Sequence, residues 1–203
     1  MRKKVGVTIK DTNNMDQIAR NLNKLNKKRI KVGVFGDDDA EMVMIARVHE
    51  YGITIKPKNA EALTIPVNPK AKGKKASDFP GIFRPKGTDV LAIPKGKDDF
   101  EVLFVLVKSV TIPERSFLRS GYDENIDYIN EKIDSMIEDV LTGGIDPDVF
   151  ADMIGLEFAG LIQKKLRSVS DPPNSPITIN VKGSSNPLID TGHLVGAIRH
   201  EVK

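Results

Sequence analysis

Residues 99–113 read DFEVLFVLVKSVTIP, and six of them in a row, Val102 to Val107, are apolar. A run of that length matches a strand and falls well short of the ~18 apolar residues a membrane span needs. Apolar side chains in succession point to both faces of a strand, so both faces must be covered. The segment therefore predicts a central strand, with the rest of the fold arranged around it. Pro113 ends it. The next thirty or so residues keep helical spacing through Phe117, Tyr122, Ile126, Ile129, Ile133, Met136, Ile137 and Val140, up to Gly143–Gly144. That predicts a long helix starting directly after the proline.

Shorter elements surround this pair. KKVGVTIK (3–10) and RIKVGVFG (29–36) alternate apolar and polar residues and predict two half-buried strands. Between them, a helix is expected from about Met15 to Lys28. Asp11–Asn13 supply its caps, and Ile18, Leu22 and Leu25 form its buried stripe. The acidic run Asp37–Asp39 sits where a helix over 40–51 would begin, with Met42, Ile45, Ala46 and His49 along one side and Gly52 to stop it. ITI then predicts a short strand. Beyond the long helix, Asp146–Pro147 is a favoured start for a second one carrying Val149, Phe150, Met153, Ile154, Phe158, Leu161, Ile162 and Leu166. SVSDPPNSP breaks the pattern, ITINV (177–181) reads as a strand, Thr191 or Asp190 can cap a short helix, and IRHEV closes as a strand.

Residues 56 to 97 differ from the rest. They contain six prolines, and ten Lys/Arg against Glu61, Asp78 and Asp89, a surplus of seven in a chain whose net charge is only +3. The remainder is mildly acidic. ALTIPV and DVLAIP suggest small β pieces within an otherwise extended, partly mobile insertion. The expected architecture is a single α+β domain over 1–203. One mostly antiparallel sheet is packed by two longer helices and carries a basic Pro/Gly/Lys-rich insertion at about 56–97.

The residues offer little chemistry. There is no Cys, which removes disulfides, thiolate metal sites and cysteine nucleophiles. The basic N-terminus lacks the apolar core of a signal peptide, and no apolar stretch reaches spanning length, so a soluble protein without a membrane partner is expected. HEYGI at 49 lacks the second His of a metalloprotease helix; VGVFGDD lacks the phosphate-binding glycine pattern; GSS at 183 is not a nucleophile elbow. Asp37, Asp38, Asp39 and Glu41 lack calcium-loop spacing. No enzyme activity, metal or cofactor is expected. The basic segment is the one interaction signal. Lys70, Lys72, Lys74, Lys75, Arg84 and Lys86 could contact DNA phosphates or an acidic partner, or could simply be a solvated loop. A small nucleic-acid-binding module using this Lys-rich loop is the alternative reading.

Three stretches, in order, carry a resemblance: ARVHEYG (46–52), IPERSFLRSG (112–121) and NPLIDTGHLVGAIRHEV (186–202). Together they resemble the tail-completion, or virion morphogenesis, proteins of tailed bacteriophages, which include head–tail joining and minor tail proteins. Ser116 and Ala197 depart from that pattern, where Pro and Ser are common, and the 56–97 insertion lies outside it. The resemblance implies a structural virion protein of the neck or tail, assembled in the host cytoplasm as a homo-oligomeric ring, expected to be a hexamer. Implied partners are a head-side connector or adaptor protein, a tail terminator or tail-tube protein, and DNA passing through the lumen. Contacts between copies or partners are expected at Phe117, Arg119, Leu188, Asp190, Thr191, Leu194 and Ile198. Glu114, near the positive end of the long helix, and Phe117, anchoring that helix, complete the expectation.

Overall fold

Backbone groups along an apolar strand must find partners, and the central strand finds them on both sides. In the computed structural model, which describes residues 14–37, 39–97 and 99–203, β5 (Phe100–Val107) is flanked by β3 (Leu63–Pro66) and β4 (Val90–Pro94). Both pairings are antiparallel. Leu63 lies opposite Val107, and Pro94 opposite Phe100, with a register shift at Leu91/Ala92. The expected strand at 3–10, the caps at 11–13 and Asp38 lie outside the described residues.

Both neighbours of β5 come from the basic segment, at the two β pieces expected in ALTIPV and DVLAIP. The segment folds back because β5 needs two ladders, and its turns are tied down locally. Asn68 accepts from Lys70 N (3.0 Å) and donates to Glu101 on β5 (2.9 Å), opening a 3-10 turn over Pro69–Ala71. Ala71 is 0% exposed and packs with buried Leu103 and Phe104. Phe79 meets the Phe104 ring edge-on at 5.8 Å.

The single sheet is corrected. After β5, the exposed polar pair Lys108–Ser109 turns the chain, and β6 (Val110–Ile112) pairs instead with β2 (Ile53–Ile55). A third ribbon joins β1 (Ile30–Val34) to β7 (Ile198–Val202), and Arg29 and Lys203 exchange backbone hydrogen bonds at its end (2.7 and 3.0 Å). The fold is α+β with several small antiparallel sheets. Its helices among the described residues are α1 (Met15–Asn26), α2 (Ala40–Tyr51), α3 (Leu118–Thr142), α4 (Pro147–Ser168), α5 (Pro176–Lys182) and α6 (His193–Gly196).

The chain forms two compact units. The first contains the described part of residues 1–32 with Asn125–Phe158 and His200–Lys203. Here α1 attaches to the end of α3 through buried Asn21, whose amide donates to Val140 O (2.8 Å) and Leu141 O (3.3 Å). Those carbonyls lie in the last turn of α3, where no intrahelical donor remains. The expected stripe is only partly right, because Leu22 is 56% exposed and a polar residue takes the inward position. Gly143, at φ +94°, stops α3, and the Asp146 side chain caps α4 through Asp148 N (2.8 Å). Glu157 of α4 binds Tyr128 and Lys132 of α3 (3.1 and 2.9 Å).

The second unit contains Gly33–Glu124 and Ala159–Arg199. Within it, Gly121 lets α3 approach α4 so closely that a Cβ there would lie 2.7 Å from Ile162. ITINV is helical rather than a strand. Ser175 caps it by accepting from Thr178 N (3.1 Å), Pro176 occupies its first turn, and Gly183 closes it in the left-handed conformation at φ +79°. Local capping thus overrides β propensity. α6 starts at Gly192 with no side-chain cap. Asp190 and Thr191 do not cap it, and Asp190 is bound by Lys72 instead (2.8 Å).

Candidate functional site

α2 delivers Glu50 in its last turn, four residues after buried Ala46, so helical periodicity carries a carboxylate into the interior of the second unit. The Glu50 side chain is 3% exposed. A buried carboxylate needs donors, and the start of α3 supplies them. Oε2 accepts from Phe117 N and Leu118 N (both 2.9 Å); Oε1 accepts from Arg119 N (3.0 Å), Ser116 Oγ (2.7 Å) and Arg119 Nε (3.0 Å). Burial raises the carboxyl, but the three backbone N–H groups and the Ser116 hydroxyl outweigh it, so Glu50 titrates below its ordinary value. The positive end of α3 adds to this. The role expected of Glu114 therefore belongs to Glu50; Glu114 is half exposed and accepts from Arg119 Nη2 (2.7 Å).

The joint closes tightly. Arg119 also donates to Glu50 O (2.8 Å) and lies over the Tyr51 ring at 4.7 Å, while Arg115 N donates to His49 O (2.7 Å). Gly52 lets the chain pass: at φ +64° and ψ 163°, a Cβ would meet Glu114 N at 2.7 Å and Ile112 O at 3.0 Å. ARVHEYG and IPERSFLRSG are thus two halves of one clasp. With its lone pairs occupied by donors, Glu50 serves the fold rather than a reaction.

Beside the clasp lies a cleft of about 840 Å³. Its walls come from α2, from β6, from Pro113 and Arg115, from the turn before α5, and from residues 187–194. Met42, Ile45, Ile112 and Leu188 give it an apolar lining. Two cations stand in it. Arg115 is 6% exposed and donates to Pro172 O (2.6 Å) and Pro173 O (3.1 Å); Lys182 donates to Asn186 O (2.7 Å) and Pro187 O (3.1 Å). Among the described residues neither forms an ion pair with a carboxylate. Burial, with Arg115 and Lys182 nearby, pushes His49 down to about 4, and its Nδ1 is buried without a hydrogen-bond partner among the described residues.

The expected contact residues separate into two groups. Phe117, Leu188, Leu194 and Ile198 are buried in the chain's own interior, and Phe117 anchors the start of α3. Arg119, Asp190 and Thr191 reach solvent, although Arg119 is committed to Glu50 and Asp190 to Lys72. The six basic residues are all exposed. Lys70 pairs with Glu101 (2.8 Å) and Arg84 with Asp89 (2.6 Å), while Lys74 lies over Phe79 at 5.4 Å. The sequence reading missed Glu50 and Arg115. The available signal for Glu50 was its place on the inward face of α2, and for Arg115 its place between a strand-ending proline and a helix start.

Among the described residues no group of three His, Asp or Glu side chains is positioned to hold a metal ion, and no helix is long and apolar enough to cross a membrane. Compared with known proteins, the chain matches no family model, no curated protein and no solved structure.

Proposed function

We propose that the protein is a structural subunit of a tailed-phage neck, acting in tail completion or head–tail joining as a ring-forming oligomer. The clasp at Glu50 carries this reading. Two of the three stretches that resemble tail-completion proteins are tied to each other there, and the third, Asn186 to Val202, forms a wall of the neighbouring cleft and the strand β7. The residues behind the resemblance are spent on holding one geometry, which suits a subunit repeated by rotation. Exposed Val149, Met153 and Leu156, at helical spacing on α4, give the first unit an apolar stripe that association would cover.

Deleting the gene from its resident phage or prophage and imaging the lysate tests the reading. Filled heads beside separate, full-length tails are the expected result. Intact infectious particles would refute it. The nucleic-acid reading has weaker support, because Lys70, Lys72 and Arg84 already have carboxylate partners in the chain. Strong, salt-sensitive DNA binding that is lost when Lys74, Lys75 and Lys86 become Ala would favour it instead.

A further inference from the structure

Among the described residues, the buried Arg115 side chain is held only by carbonyl oxygens. Its Nε and Nη2 use Pro172 O and Pro173 O. Half-buried Lys182 shares the cleft and is likewise bound by two carbonyls. Burying like charges together is costly, and among the described residues neither cation is bonded to a carboxylate. Asp190 is bonded to Lys72 at 2.8 Å and lies near enough Lys182 to offset part of the cost of its burial, and Glu41 stands exposed on α2. Arg115 therefore still lacks a negative group of its own among the described residues.

The remaining walls indicate what carries that group. Val110, Thr111 and Ile112 all line the cleft, and they form β6, a strand that among the described residues is paired on one edge only, to β2. Met42, Ile45 and Leu188 offer apolar contact nearby. A strand with an open edge, an apolar lining and a cationic end together match β-augmentation by an extended peptide. A small anion would leave most of the roughly 840 Å³ unfilled.

We infer that this cleft binds an extended, carboxylate-bearing segment of a partner protein, which pairs with β6 and places its carboxylate between Arg115 and Lys182. The site does not depend on the neck reading: peptide binding is read on the purified chain and the neck on particles, so either can fail alone.

The test pans a random decapeptide library with amidated C-terminal ends, so that only Asp and Glu side chains supply carboxylates, against the full chain. Enriched peptides are expected to be extended, β-branched sequences with a carboxylate. A fluorescein-labelled representative should lose affinity roughly tenfold to a hundredfold in Arg115→Gln and in Lys182→Gln, as for a lost charged hydrogen bond. The same loss on the unaltered chain, when the peptide's carboxylate is amidated, removes any dependence on variant folding. Amide exchange at 110–112 should slow on binding. The inference is overturned by any of four results: no enrichment, enriched sequences without carboxylates, affinity unchanged by amidation, or displacement of the peptide by inorganic phosphate at equal concentration.

Discussion

Gly52 and Glu50 are two residues apart and fail differently when changed. At Gly52 the backbone occupies a region essentially reserved for glycine, and the atoms a Cβ would strike belong to the backbone of 112–114. Gly52→Ala should cost at least about 3 kcal/mol, read as a lower urea midpoint. Glu50→Gln preserves shape but replaces a charged acceptor with an amide that can accept through one atom only. We expect a loss of about 2 kcal/mol, or a thermal midpoint lowered by roughly 4–8 °C. An unchanged midpoint would mean that the start of α3 is held by other groups. Neither effect follows from the residue alone. Glu50 is one more charged residue in its helix until the donors of 116–119 are placed against it.

At the scale of elements, the sequence made the long pieces legible. The two helices α3 and α4, the strand β5 and the Asp146 cap all follow from periodicity and capping, because each is specified within its own segment. What it concealed was partnership. Nothing local in Lys56–Lys97 announces that its two β pieces are the neighbours of β5, and nothing in VLFVLVKSVTIP shows that Lys108–Ser109 divides two sheets. ITINV misled for a different reason: its residues favour a strand, whereas Ser175, Pro176 and Gly183 bracket a helix. If those brackets decide the matter, Ser175→Ala should destabilise the protein by about 1 kcal/mol and speed amide exchange at Thr178, whose N–H loses its acceptor. The candidate site was less legible still. The clasp and the cleft bring together residues from four separate stretches, and only the resemblance had linked any of them.

Across the whole molecule, acid should act in two steps. His49 takes up a proton near its ordinary 6.5 in the unfolded chain but resists it to about 4 when folded. The unfolded state binds that proton first, so stability falls as the pH drops from about 6.5 towards 4. Glu50 works in the next window. Its depressed folded value means that its contribution is complete above the ordinary 4.5 and is lost as the pH falls through the lower folded value. Urea titrations should show the first decline in the unaltered chain and a flattened one above about pH 5 in His49→Gln. An identical slope in both would remove His49 as its source.

The buried Ala71 has a consequence for proteolysis. Lys70, Lys72, Lys74 and Lys75 surround it and would make this stretch readily cut by trypsin in an unfolded chain. A protease must draw its substrate out as an extended strand, and Ala71 is pinned beneath Leu103 and Phe104 while Asn68 holds the turn. Cleavage here therefore has to wait until the β3–β5–β4 sheet opens. The first cut then measures how often that opening occurs, which makes the lysine cluster a built-in reporter of the sheet's local stability.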